Sequence, residues 1–354
     1  MPLRRKRIVI FLLWISIAAL FWWAWRDISL PQVWEALRHL SPISLGILFA
    51  LNGAILLLFS SRWWLIVRAL GYRIPYFSLA KYRLASFGLS YFTPGPQFGG
   101  EPLQIYFLHK NHRVPTDTAL ASVSLDKLLE MLANFTFLSI GILLIVWQGL
   151  FFQEKTEVLV GFSAGMVALL LAYLISLWFG KAPLRWIFGW IPLNKGWQAS
   201  LRAIRQTILK AESQIGNFCR QQPRILLQSS LLSTLIWISL LGEYALALLF
   251  LGLETSLINI LTIIVFARLA FLTPLPGGLG VLEAGQVIAM QSLGLDPVFG
   301  VSMSLFIRVR DTLFGLIGLW IGSATSHSQS GIDGNKSNED ENIPALESHI
   351  PAKS

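Results

Sequence analysis

Thr93-Pro94-Gly95-Pro96-Gln97-Phe98-Gly99-Gly100-Glu101 has a second version in the same chain, Thr273-Pro274-Leu275-Pro276-Gly277-Gly278-Leu279-Gly280-Val281-Leu282-Glu283. Both run Thr-Pro-x-Pro, then a Gly-Gly step, then a Glu, and both lie inside strongly apolar sequence. Proline removes a backbone donor and glycine weakens a helix, so two such clusters in apolar surroundings predict two broken helices. Backbone freed in that way inside lipid has to be buried in protein or line a wet cavity. The rest of the chain reads as a scaffold around these two breaks.

Composition agrees with a membrane setting. Of 354 residues, 54% are hydrophobic and only 13% charged, and the mean hydropathy is +0.61. These values predict an all-α, polytopic helical membrane protein. The net charge of +9 is carried by short loops that flank apolar runs, the positive-inside pattern, which argues against nucleic acid as a partner. A single cysteine, Cys219, excludes an intrachain disulfide and a multi-cysteine metal site, and it reads as a small apolar residue on a helix.

Arg4-Arg5-Lys6-Arg7 precedes the apolar run from Ile8 to Trp25, read as an uncleaved first span with a cytoplasmic N-terminus. The segment from Arg26 to His39 is expected outside the membrane. Ser44 to about Val67 is the second span, and Arg62, Arg68, Arg73, Lys81 and Arg83 read as a basic cytoplasmic edge. Leu84–Phe92 and Leu103–Leu108 flank the first break and are too short to cross, since a span needs roughly 20 residues. With basic residues on both sides, this unit reads as a re-entrant hairpin. Ala119–Trp147 is a long span, Gln153 to Glu157 an external loop, and Val158–Phe179 a return. A basic segment over 184–220 then places Trp197, Leu201, Ile204, Ile208, Ile215 and Phe218 on one face, as in an amphipathic helix on the inner leaflet. Its charges suit anionic headgroups, and topology determination explains them equally. Ile225–Leu251 crosses, Leu257–Leu295 holds the second break, and Phe299–Ile321 crosses back. A polar tail from 323 to 354 is expected to be disordered and cytoplasmic.

The two halves match beyond the breaks. Ser122-Val123-Ser124-Leu125 and Ser302-Met303-Ser304-Leu305 each follow a break glutamate, and intramembrane charges follow each. The expected architecture is therefore about six full spans plus two re-entrant broken-helix hairpins. Repeat A covers 44–147 and repeat B 225–321, inverted relative to each other within a membrane domain over 1–322. Inverted repeats with broken helices are a transporter architecture, with the site where the breaks meet.

Ionisable groups at membrane depth are functional candidates by default. Glu101 and Glu283 stand at the starts of half-helices, where a cap is the structural alternative to coupling or recognition. Asp126 and Glu130 lie four apart on one helical face, Lys127 can approach Glu130 at three, and Arg308 and Asp311 are likewise three apart, so local ion pairing competes with a cavity role. Lys127, Arg268, Arg308 and Arg310 are candidate phosphate ligands, since a planar guanidinium offers two parallel hydrogen bonds. Amides around Gly99, Gly100, Gly277 and Gly278 would add donors for an anionic headgroup, and Gln97 an amide contact. His109 and His112 read as solvated. No P-loop, HExxH, Cys/His cluster or GxSxG occurs, so no metal, cofactor or catalytic residue is assigned and the chain is not expected to be an enzyme.

Pro94 to Glu101, the Asp126-Lys127 span and Pro274 to Glu283 resemble the transmembrane region of lysylphosphatidylglycerol synthases over roughly 40–322. This resemblance implies a flippase-like membrane domain that moves a lipid between leaflets. Full-length synthases fuse it to a soluble aminoacyltransferase domain, which this sequence up to Ser354 does not display, so lysyl-phosphatidylglycerol is not the expected cargo. An anionic phospholipid or a polyprenyl-phosphate-linked lipid is. A separate glycosyltransferase or aminoacyltransferase is the partner the resemblance implies; the alternative role is an enzyme or accessory subunit acting on such lipids.

Overall fold

A computed structural model describes residues 30–38, 40–93, 99–149, 153–190 and 198–340. The first apolar run at 8–25, Gln97 and the terminal 341–354 lie outside the described residues. Among the described residues the chain is helical and has no strand: α1 (Leu30–Arg38), α2 (Pro42–Ala69), α3 (Tyr76–Phe92), α4 (Glu101–His112), α5 (Thr116–Trp147), α6 (Gln153–Trp178), α7 (Pro183–Gly189), α8 (Gln198–Gln221), α9 (Pro223–Phe250), α10 (Leu257–Phe271), α11 (Val281–Ser292) and α12 (Pro297–Asp340). Four of these contain stretches long and apolar enough to cross a membrane: α2, α5, Val160–Trp178 within α6, and α9. With its apolar surface turned outward on these helices, this is an all-α polytopic membrane protein.

The two halves repeat helix for helix. α2 and α9 each have 28 residues, α4 and α11 each have 12, and α3 and α10 have 17 and 15. The ends that lead into the breaks are built alike. At the C-terminal end of α3 and of α10 a threonine hydroxyl bonds back onto a carbonyl of its own helix. Thr93 Oγ1 donates to Leu89 O at 2.8 Å, and Thr273 Oγ1 to Ala270 O at 2.6 Å.

Packing crosses between the halves. α2 lies on α9, α3 on α12, and α10 on α5. Glycines let the second pair touch backbone to backbone: a Cβ on Gly88 would collide with the Gly315 carbonyl, and one on Gly318 with that of Leu84. Lipid offers no hydrophobic drive between helices, so such close contact supplies the attraction instead. Trp63, Leu79, Phe107 and Leu108 form the core of the first half, and Tyr244, Ile263, Leu282 and Met303 that of the second.

Several expectations change. The segment before the second span, expected outside the membrane, contains a helix: α1 forms there and buries Val33 against Val287, Val298 and Val301. Gln153 to Glu157 is the first turn of α6 and not a loop. α12 continues past Ser323 to Asp340. The segment 184–220 splits into α7 and α8, and Ile215 and Phe218 pack against Leu125, Leu129 and Leu177 of α5 and α6; of that face's described residues Leu201 and Ile204 are exposed, and Trp197 lies outside the described residues. Apolar periodicity marks a face but not what covers it. Cys219 is buried in the same cluster, and burial pushes its thiol up to about 11.

Candidate functional site

Both breaks settle on the last turn of α3. Gly100 N donates to Ser90 Oγ at 2.9 Å, and a Cβ added at Gly277 would sit 3.0 Å from the Tyr91 ring. Beyond this turn opens a cavity of about 260 Å³. Its charged lining comprises Arg62, Arg83, Lys127, Arg268 and Arg310, with Glu101, Asp126, Glu130 and Asp311.

Each half contributes a glutamate, a glycine amide and a cation in the same arrangement. Glu101 opens α4, accepts from Gly99 N at 2.9 Å and meets Lys127 Nζ at 3.2 Å. Glu283, in the first turn of α11, accepts from Gly280 N at 3.0 Å and is held by Arg308 through both carboxylate oxygens, one of them at 2.7 Å. Lys127 is the twelfth residue of α5 and Arg308 the twelfth of α12. At 1.5 Å per residue each lies about 17 Å along its helix. Arg308 also donates to Gly277 O and Gly278 O, both at 3.3 Å, and so clamps the second break.

Around the first unit the charges form one network. Arg62 donates to Asp126 at 2.7 Å, to Glu130 at 3.1 Å and to Ser233 Oγ at 3.0 Å; Arg83 donates to the same acids at 2.6 and 2.7 Å. Lys127 completes it on Glu130 at 2.9 Å. Three cations thus balance three carboxylates, the condition under which charge tolerates burial. Both guanidiniums lie over Phe59, 5.5 and 4.9 Å from the ring centre. In the second half Arg310 bonds Glu243 and, at 2.8 Å, Asp311. Arg268 stands over the Trp237 ring at 4.8 Å, and its buried Nε has no hydrogen-bond partner among the described residues.

The structure therefore gathers Glu101, Asp126, Lys127, Glu130, Arg268, Arg310 and Asp311 at the cavity and sets Glu283 and Arg308 behind it. Three readings need correction. Arg308 and Asp311 do not pair, because the buried Glu283 offers Arg308 a bidentate partner while Arg310 takes Asp311. The glycine amides do not form an open anion cradle. Gly99 N and Gly100 N are taken by Glu101 and Ser90, Gly278 N by Leu275 O at 3.0 Å, and at Gly277 and Gly278 it is the carbonyls that are used, by Arg308. The histidines are not simply solvated. His109 Nδ1 lies 2.9 Å from Val114 O, and His112 meets Tyr82 Oη at 3.0 Å, where burial lowers its pKa.

Arg62, Arg83 and Glu243 are site residues that sequence reasoning missed. Arg62 and Arg83 look like a positive-inside edge, yet Arg62 is 1% exposed. Glu243 is a lone acid in an apolar 28-residue helix, and that isolation was its signal.

The comparisons with known proteins agree with this architecture. Residues 7–318 match the family described as lysylphosphatidylglycerol synthase TM region. A UPF0104 membrane protein of Methanothermobacter thermautotrophicus is 26% identical over 302 residues, 83% of this chain and 86% of that protein. A second match to a UPF0104 membrane protein of that organism is 28% identical over 148 residues, 41% and 42% of the two chains. A UPF0104 membrane protein of Methanocaldococcus jannaschii is 25% identical over 192 residues, 54% and 50% of the two. With its broken helices, paired intramembrane charges and a family match over nearly the whole helical region, this chain belongs to the lysylphosphatidylglycerol synthase transmembrane-region family.

Proposed function

We propose that this protein is a lipid translocase of the cell membrane, with both termini cytoplasmic. It moves an anionic phospholipid or a polyprenyl-phosphate-linked lipid between leaflets without hydrolysing ATP. In this reading the two four-helix units are inverted relative to each other, each break is a re-entrant hairpin, and the headgroup sits between them.

The observation that supports it best is the meeting of both breaks on one turn of α3, beside a cavity lined by five cations. At about 260 Å³ the cavity suits a headgroup and leaves acyl chains outside, being smaller than the ~300 Å³ at which pockets for drug-sized ligands begin. Lys127 is shared between Glu101 and Glu130, so an arriving anion can draw it away and loosen the first hairpin.

Reconstitution tests this. Liposomes containing the protein should expose labelled phosphatidylglycerol or polyprenyl phosphate to a membrane-impermeant reagent faster than protein-free liposomes, and Glu101→Gln should lower that rate at least tenfold. Unchanged transbilayer rates for both lipid classes, with and without a proton gradient, would overturn the proposal. A new lipid product formed in detergent, where leaflets do not exist, would replace transport by enzymatic activity.

A further inference from the structure

The cavity's cations are not equivalent. Arg62, Arg83, Lys127 and Arg310 each touch at least one carboxylate. Any anion that approaches them must compete with a bonded acid. Arg268 has no ion pair among the described residues, although it lines the same cavity. Glu243 and Asp311 both bond Arg310 instead.

Its ring contact and the longer-range attraction of Glu243 and Asp311, both bonded to Arg310, leave the guanidinium without a hydrogen-bonded counter-charge. A cation–π contact contributes about 0.5–2 kcal/mol, against a desolvation cost of several kcal/mol for a buried ion. The mismatch points to a missing anion. Trp237 is a rigid backing for it: its other neighbour is Phe137, stacked at 4.0 Å with 15° between the planes. A guanidinium backed by a ring in this way loses little freedom when a planar pair of acceptors arrives.

We infer that Arg268, backed by Trp237, is the residue that grips the phosphate of a phosphoester headgroup in this cavity. The inference rests on reading the cavity as a headgroup site and adds which residue selects for phosphate. A phosphodiester oxygen pair satisfies Nε and one Nη together, as the Glu283 carboxylate does for Arg308.

Calorimetric titration of the purified full-length chain in detergent tests it, with dioctanoyl phosphatidylglycerol, dioctanoylglycerol and inorganic phosphate as probes. The phosphatidylglycerol should bind, and both Arg268→Met and Arg268→Gln should weaken it about 10- to 100-fold. Dioctanoylglycerol should distinguish neither variant from the wild type. Competition by inorganic phosphate in the wild type alone would name the phosphate ion as sufficient, whereas binding of the ester alone would name the lipid; both support the role of Arg268. Thermal unfolding of the unliganded variants should occur at the same or a higher temperature, since a charge without a partner is removed. Wild-type affinity in either folded variant, or loss of folding in both, overturns the inference. Arg268-dependent binding without transport would leave it standing and sink translocation, and transport indifferent to Arg268 would do the reverse.

Discussion

The first and second break units share a design and differ in how tightly they are sealed. Glu283 is fully buried, and Arg308 ties it and two carbonyls of its own break into a single knot. Glu101 keeps 22% of its side chain exposed, and its cation Lys127 divides itself between two acids. The correspondence extends to the register of the long helices. Arg62 and Glu243 are each the twenty-first residue of α2 and α9, and Glu130 and Asp311 each the fifteenth of α5 and α12. At the first of these positions the sign of charge is opposite. Geometry has been kept between the halves while electrostatics has diverged, so the second break is a fixed clamp and the first an adjustable one.

The largest test of this contrast is to neutralise each glutamate in turn. Glu283→Gln leaves Arg308 buried without a counter-charge and should cost about 3–5 kcal/mol in unfolding free energy. Glu101→Gln leaves Lys127 on Glu130 and should cost less than about 1 kcal/mol, as for a partly exposed pair. Denaturant unfolding in micelles reads both. Equal losses would remove the distinction between clamp and adjustable unit.

The glycines sharpen it further. A Cβ on Gly100 would run into the Ser86 carbonyl, so Gly100→Ala must push α4 off α3 and should cost about 1–3 kcal/mol. Gly278 has φ +63° and only ordinary contacts around an added Cβ, the nearest at 3.4 Å, so Gly278→Ala should cost about 1 kcal/mol from left-handed backbone alone. Thermal shifts in that order would show that close approach governs the first break and backbone handedness the second.

The breaks themselves were legible because proline and glycine act locally: α3 stops at Phe92 and α10 at Phe271, each shortly before a Thr-Pro step in the sequence. The same holds for helix-start glutamates and for the Lys127–Glu130 pair, which three-residue spacing places together. Partners distant in sequence were not legible. Arg62 reaches Asp126, 64 positions away, and Arg310 reaches Glu243 at 67, and only the packing of α2 on α5 and of α9 near α12 decides those choices. A basic residue near a helix end looks the same in sequence whether it faces water or a buried carboxylate. That is why Arg62 and Arg83 read as loop charges.

Acid gives the smallest test, and it should act on one unit only. The last turn of α4 carries His109, Lys110 and His112, while that of α11 has no basic residue. His112 lies at the polar end of α4, outside the apolar spans, against Tyr82, which Asn111 also bonds at 3.0 Å. Burial lowers its pKa from the ordinary value of 6.5. A group depressed in this way favours the folded state fully above its unfolded pKa, and that contribution is lost as pH falls through the lower, folded value. Protonation then places a third positive charge beside Lys110 and Arg113 and weakens the seat of α4 on α3. Hydrogen exchange, corrected for intrinsic rate, should therefore lose a few-fold protection at the C-terminal turn of α4 between pH 7 and pH 5, with α11 unchanged. His112→Gln should abolish the difference, because glutamine keeps a polar contact with Tyr82 and does not titrate. Equal acid loosening of both helices would place the pH response in the shared core and not in the first break unit.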